Sequence, residues 1–149
     1  MEPSFRFEQA VKKLYQAFHN NTLIPECNKQ CAVGNILNNI DAWKHFSDSH
    51  GSLQLNYIGL VNENFGRRFQ GFKPSELLQI EATFLKACGF QLPLNYRNKQ
   101  PTNLSDKDLL FKGLSAVVAL LCQLDNIPNI MDCSVLFSFK VEDHFVKPV

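Results

Sequence analysis

One apolar stretch near the carboxyl end of the chain, SDKDLLFKGLSAVVALLCQL over residues 105–124, restricts the fold more than any other feature. From Leu109 onward it is apolar on nearly every side, and a helix of that kind is buried on all sides. Its apolar run, residues 114–122 with Ser115 inside it, is far shorter than the roughly 20 residues that a bilayer crossing requires. The stretch therefore predicts a buried helix at about residues 106–124 in the middle of a water-soluble, all-α protein.

Length and composition favour one compact domain. The chain has 149 residues, of which 45% are hydrophobic and 13 are phenylalanine, and this is enough to form one core. The formal net charge of +1 creates no strong field for phosphate backbones or anionic lipid, so nucleic acid and membrane partners are disfavoured. The amino-terminal residues lack the apolar segment of a secretory signal, and the five cysteines are an odd number. We therefore expect a cytoplasmic protein whose cysteines are thiols or metal ligands.

Shorter, one-sided helices are predicted around the central helix. Apolar residues recur at steps of three and four along several segments, and Pro25 and Pro74 suit first helical positions. Gly89 marks the end of the best-defined of these helices, and Asn126 ends the central one. The predicted helices are 5–18, 25–37, 40–46, 53–65, 74–88 and 106–124, with a further short helix in MDCSVLFSF. In the fourth of them, residues 53–57 alternate like a strand before the spacing becomes helical. The sequence thus predicts a single all-α domain over 1–149, with five to seven helices and a flexible tail from about residue 140.

The sharpest local motif is Cys27-Asn28-Lys29-Gln30-Cys31, with two thiols four residues apart. On a regular helix their Cβ atoms would lie about 5–6 Å apart, which is too far for a relaxed disulfide but suits two thiolates on one metal ion. The ion would be zinc or another thiophilic metal. A closed zinc site needs four ligands, and His19, with His45 and His50 as alternatives, is near enough in sequence to supply one. The alternative is that both thiols are small apolar core residues.

The other cysteines carry no motif of this kind. Cys88 and Cys122 belong to strongly apolar helical segments, so they are predicted to fill space in the core. Cys133 receives no role, and His144 in the tail is expected to be exposed to solvent.

A second candidate site is the loop GRRFQGFK, in which Arg67, Arg68 and Lys73 alternate with aromatic and glycine residues. Fixed cations and loop N–H groups of this type bind anions such as a nucleotide phosphate. The alternative is that the arginines stabilise the end of a helix and pair with acidic side chains, for which Glu63, Glu76 and Glu81 are the candidates. The common nucleotide-binding, zinc-protease and hydrolase motifs are missing from the sequence.

Two long stretches, FHNNTLIPECNKQCAVGNIL and LNYIGLVNENFGRRFQGFKPSELLQIEATFLKACGF, resemble a family of short, generally uncharacterised bacterial proteins of about this length. The resemblance extends from Phe5 to about Phe137 and implies a bacterial cytoplasmic protein with a shared compact fold. Some members bear the name of the iron–sulfur and flavin component of the sodium-translocating NADH:quinone reductase, which would imply a link to electron transport. A plant-type iron–sulfur cluster needs the spacing C-x4-C-x2-C, which this chain lacks, so no residue role is carried over from that enzyme.

The sequence leaves two functions open. The first is a non-enzymatic protein-binding or adaptor domain, because no acid–base pair, activated nucleophile or cofactor motif is recognisable. It predicts an exposed apolar patch near Trp43 and Phe46. The second is a metal-binding or redox protein that uses the thiols of Cys27 and Cys31.

Overall fold

A computed structural model of the protein describes residues 4–25, 27, 29–90, 92 and 107–127. Within these residues the chain forms helices and no strand, which confirms the predicted all-α fold. No helix in this part of the chain is both long and apolar enough to cross a membrane. The helices are α1 (Phe5–His19), α2 (Ala32–Ile36), a 3-10 helix (Ala42–Phe46), α3 (Tyr57–Asn64), α4 (Pro74–Ala87) and α5 (Lys107–Leu124).

The ends of α1 and α4 follow from local chemistry. The Ser4 hydroxyl accepts a hydrogen bond from the Phe7 N–H at the start of α1, where the first-turn N–H groups have no partner within the helix. Pro74 occupies the first turn of α4, and Glu76 accepts the Lys73 N–H at 2.9 Å. Gly89, just beyond α4, has a φ of 102°, a conformation that glycine adopts at little cost. The predicted start and stop of this helix are confirmed.

Helices α4 and α5 form the centre of the fold and pack extensively on each other. α5 is buried along one face, but Phe111 is 46% exposed and Lys112 is also exposed. The expectation that this helix is buried on every side is therefore wrong, because among the described helices α4 and α1 pack against it and leave its other side exposed. The buried residues of α5 are Leu110, Gly113, Leu114, Val117, Val118, Leu121 and Cys122.

A glycine allows α4 and α5 to approach each other closely. A Cβ atom added at Gly113 of α5 would overlap the Cys88 sulfur and lie 2.7 Å from Cδ1 of Phe84. Both of these residues are buried. Gly113 therefore sets the distance between the two central helices.

The second helix is shorter than predicted. The sequence predicts one helix over 25–37, whereas α2 contains only Ala32–Ile36. Cys31 has extended backbone geometry, with ψ at −175°, and caps the helix. Before it, the Ile24 N–H donates to the Gln30 carbonyl at 2.7 Å and closes a loop. That loop replaces the helical hydrogen bonds that would be needed for a start at Pro25.

Arg6 joins three helices at one point. Its guanidinium lies 2.7 Å from Asp125, just beyond α5, and 3.0 Å from Glu76 in the first turn of α4. It also donates to the Gly71 carbonyl at 2.9 Å and lies 4.8 Å from the centre of the Phe72 ring. The two carboxylates raise the pKa of Arg6 despite its partial burial, so the charge at this junction is permanent.

Several predictions fall on residues that the structure does not describe. The short helix in MDCSVLFSF, the tail from about residue 140, Cys133 and His144 all lie outside the described ranges. The extent of the domain, 1–149, stays a prediction.

Candidate metal centre

Three potential metal ligands from three separate elements meet in the interior. Cys31 caps α2, His50 follows the 3-10 helix, and Glu81 lies in the middle of α4. One ligand atom from each, namely a thiol sulfur, an imidazole nitrogen and a carboxylate oxygen, lies within 4.8 Å of the other two. Cys31 and Glu81 are 0% exposed, and the His50 side chain is 13% exposed. The cluster is therefore closed on the core side, with His50 nearest to solvent.

The buried Glu81 carboxylate makes contacts through both oxygens. One oxygen accepts the Val33 N–H of α2 at 3.2 Å, and the other lies 2.8 Å from the Nε2 atom of His50. A carboxylate removed from water costs several kcal/mol unless it is paired and hydrogen-bonded. These two contacts provide that compensation and fix both the carboxylate and the imidazole.

The Cys31 thiol is held in a protonated state in the metal-free protein. Burial raises its pKa well above the ordinary value, and the negative charge of Glu81 raises it further. The sulfur also accepts the Gly34 N–H at 3.4 Å, which partly opposes the shift. Because the thiolate is the nucleophilic form of cysteine, this thiol is a poor nucleophile at neutral pH. A bound cation would reverse the electrostatic balance and favour the thiolate.

The chain's only tryptophan lies beside the cluster. The ring of Trp43 meets the ring of His50 edge to face, with 5.6 Å between their centres. A surface cavity of about 280 Å³ reaches His50 from the solvent side. It is lined by Trp43, Lys44, His45, Ser47, Asp48, Ser49 and His50. His50 is therefore part of both the buried cluster and the wall of a surface cavity.

The donor set suits zinc. Thiolate, imidazole and carboxylate are the three ligand types that zinc uses in proteins, at roughly 2.0–2.3 Å from the metal. Around a tetrahedral ion such ligand atoms are roughly 3.5 Å apart. The 2.8 Å contact between His50 and Glu81 would therefore open slightly, and the wider separations, of up to 4.8 Å, would close. The Val33 N–H donates to the Glu81 oxygen that does not contact His50, and so it already fixes the orientation of the carboxylate. Hydrogen bonds from residues around a site commonly orient metal ligands in this way. The residues present therefore fit a metal with three protein ligands.

Only one of the three predicted metal ligands belongs to this cluster. Cys31 does, whereas Cys27 lies in the turn before α2 and His19 packs edge to face against Tyr15 at the end of α1. Within the described ranges, neither Cys27 nor His19 shares a group of three potential ligand atoms. The premise of a helix containing both thiols is wrong because α2 begins at Ala32. A metal role for Cys27 and His19 stays a prediction.

Sequence reasoning gave Glu81 no metal role and considered His50 only as a neighbour in sequence. One signal for Glu81 was available, since it occupies the apolar stripe of α4 that also contains Leu77, Phe84 and Leu85. A charged residue in such a stripe is buried with a partner or binds a metal. His50 lies in a loop without periodicity, and its sequence position alone carries no comparable signal.

Of the three cations in the predicted anion site, Arg68 makes contacts within the protein. Arg68 donates to the Gly71 carbonyl at 3.1 Å and lies 4.0 Å from Glu76, as the ion-pair alternative predicts. Arg67 and Lys73 are exposed, and the Arg67 guanidinium has no partner in the described part of the chain. Anion binding by Arg67, Arg68 and Lys73 stays a prediction.

The apolar patch predicted near Trp43 and Phe46 is wrong in its location. Trp43 is 2% exposed and Phe46 is 5% exposed, because both side chains of the 3-10 helix face the core. The protein-binding role itself is not decided by this result and stays a prediction.

Cys88 and Cys122 are each 1% exposed, which confirms that they are core residues. Burial raises the pKa of Cys88 to about 12, with a smaller contribution from the charge of Glu81. The unfolded chain releases this proton near pH 9, so between about pH 9 and 12 the folded state binds more protons than the unfolded state. The stability that the neutral thiol provides is therefore complete below about pH 9 and is lost as the pH rises towards 12.

We expect this loss to appear in a comparison of the wild type with Cys88→Ala. The difference between their free energies of unfolding should fall by about 1.4 kcal/mol per pH unit over that range. Urea unfolding in the presence of a reductant, at several pH values, measures it. A difference that is independent of pH would contradict the assignment. Ser115→Ala, which removes no titratable group from the partly exposed side of α5, is the control and should show no such dependence on pH.

Comparisons of the chain with protein-family models, with curated proteins and with solved structures found no match. The resemblance to short bacterial proteins accordingly stays a prediction. What can be said of function rests on the geometry of Cys31, His50 and Glu81.

Proposed function

We propose that this protein binds one zinc ion through Cys31, His50 and Glu81. The observation that supports the proposal is the convergence of three different zinc-ligand types, from three elements, within 4.8 Å. Two of them have no solvent exposure. Burying polar groups in a core has a cost, and metal binding contributes folding free energy that offsets part of it.

The bound ion would connect α2, the loop that contains His50, and α4. Three protein ligands leave one tetrahedral position for water or for an added ligand, as in zinc sites that keep an open position. His50, the most exposed of the three ligands, forms part of the cavity wall. The metal would therefore fix the loop after the 3-10 helix against the core and present one coordination position towards that cavity.

A metal-free role for the same residues makes different predictions. In that case the Glu81 carboxylate serves as the acceptor for His50 and for the Val33 N–H, and Cys31 serves as the helix cap. The contacts then stabilise the fold and bind no ion. Metal content separates the two roles directly.

The first test is the zinc content of protein made without a metal-affinity tag. We expect about one zinc ion per chain in the wild type and a loss of most of it in Cys31→Ser and His50→Ala. Cys122→Ser is the matched control, because it changes another fully buried cysteine outside the cluster and should retain the metal. Wild-type protein that neither contains zinc nor takes it up at neutral pH would overturn the proposal.

The second test uses cobalt, which replaces zinc in many sites and reports its ligands by absorption. A thiolate-to-cobalt charge-transfer band should appear in the wild type and in Cys122→Ser but not in Cys31→Ser. Cobalt should also quench the fluorescence of Trp43, whose ring centre is 5.6 Å from that of His50. His50→Ala should abolish the quenching at the same cobalt concentration. Equal quenching in the wild type and in His50→Ala would place the ion elsewhere.

A further inference from the structure

The short helix α3 presents its apolar side to solvent. Gly59 is its only buried residue. The outer α3 face contains the apolar residues Tyr57, Ile58, Leu60, Val61 and Phe65, which lie on one side of the helix together with the exposed Asn64. Val61 is half-buried. Tyr57 is 80% exposed, Phe65 is 74% exposed, and Ile58 and Leu60 are about half exposed. This is the reverse of an ordinary surface helix, which turns its apolar side to the core.

Specific contacts hold α3 in this orientation. A Cβ atom at Gly59 would overlap the Phe46 carbonyl oxygen and lie 2.7 Å from Leu55, so the helix backbone rests directly on the body. Asn56 caps the helix by accepting the Gly59 N–H at 2.9 Å. On the same inner side, Glu63 accepts the Ser75 N–H at 2.8 Å. Glycine and polar residues thus provide the attachment, and the apolar side chains are left for another surface.

The two ends of α3 carry opposite charges. Asp48 lies at the amino-terminal end, where it accepts a hydrogen bond from Asn56 at 3.3 Å. Arg67 lies just past the carboxyl-terminal end and is exposed to solvent. Neither charge has an ion-pair partner among the residues that the structure describes. Both charges suit the dipole of their own helix, but a helix dipole does not account for the apolar face between them.

We propose that the outer α3 face binds a second copy of this chain. In a symmetric dimer each copy uses the same surface, and a two-fold axis across α3 makes the two helices antiparallel. Arg67 of one copy then lies at the end where the other copy has Asp48, and this pairing occurs twice. The apolar side chains between these charges pack against their equivalents. The charges at the ends are complementary to an antiparallel copy, and electrostatic complementarity of this kind fixes orientation. The proposal is independent of the metal centre.

The first experiment measures self-association by sedimentation equilibrium over a wide range of protein concentration. We expect the wild type to dimerise and Phe65→Asp to raise the dissociation constant by about 100-fold, because a charge would enter the apolar interface. Phe5→Asp is a closely matched control, since Phe5 is 75% exposed and lies on α1. It should leave the dissociation constant unchanged. A wild type that is monomeric at every concentration, or a dimer equally affected by both variants, would overturn the proposal.

The second experiment tests the antiparallel arrangement by charge exchange. Asp48→Lys and Arg67→Glu should each raise the dissociation constant by about tenfold at low salt, because each places like charges opposite each other. The double variant should return it to near the wild-type value, since the pairs are restored with reversed sign. The effects should shrink in high salt. Failure of the double variant to recover would exclude antiparallel packing of α3, and binding of an unrelated protein by a monomeric wild type would equally count against a second copy.

Discussion

Replacement of Glu81 by alanine is expected to lower the free energy of unfolding of the metal-free protein by about 4 kcal/mol. The change removes the acceptor of the Val33 N–H and of His50. Because the Glu81 side chain is completely buried, it also leaves a cavity in the core. Buried donors without acceptors and unfilled cavities are each destabilising, and here they occur together. Urea unfolding followed by the fluorescence of Trp43 measures the loss.

Two further variants test the reason for this loss. Glu81→Gln keeps the shape and one acceptor oxygen, so we expect a loss of about 2 kcal/mol. Glu8→Ala removes an exposed glutamate from α1 and should change the free energy of unfolding by less than about 0.5 kcal/mol. If Glu81→Ala lowers the free energy of unfolding no more than Glu8→Ala does, the contacts of Glu81 with Val33 and His50 contribute little to stability.

Gly113→Ala is expected to destabilise the protein by about 2 kcal/mol, although alanine favours a helix over glycine by about 1 kcal/mol. The new methyl group would overlap the Cys88 sulfur and lie 2.7 Å from Cδ1 of Phe84. The interior is packed too closely to absorb a methyl group there without moving α4 away from α5. Thermal and urea unfolding both report the change.

The matched control for this variant is Ser115→Ala. Ser115 lies two residues further along α5 and is partly exposed, so alanine should leave the stability equal or slightly higher. Removing the obstructing sulfur offers a second check, because Gly113→Ala should cost less in a Cys88→Ala background. An increase in stability in Gly113→Ala alone would contradict the close approach of the two central helices.

The helices that could be predicted are those with local signals at both ends. Pro74 and Gly89 enclose a periodic segment and define α4, and the stripe of apolar residues defines α1. The start of α2 could not be read from the sequence, because Pro25 is also compatible with the turn that closes between Ile24 and Gln30. The residues of α5 are apolar on nearly every side, so the sequence does not indicate which side packs against other helices. The exposed side of α5 was therefore not predicted.

The candidate site was only partly predictable because it is built from distant residues. Cys31 was recognised from its spacing to Cys27, but its partners are His50 and Glu81, which are themselves 31 residues apart in sequence. Their meeting depends on how α2 and α4 pack, and local periodicity carries no information on that packing. The outer α3 face is a similar case. The side of α3 that contains Gly59 packs against the body because glycine has no side chain, and local periodicity does not show this.

The ionic junction at Arg6 has a consequence for biosynthesis. Its partner Asp125 is 119 residues further along the chain, so the amino-terminal helix leaves the ribosome long before that carboxylate exists. Of its two carboxylate partners in the described part of the chain, Glu76 is synthesised first, from the middle of the chain. Closure of this corner therefore waits for the residue after α5 to emerge, and contacts of such long sequence separation slow folding because a long loop must close before they form.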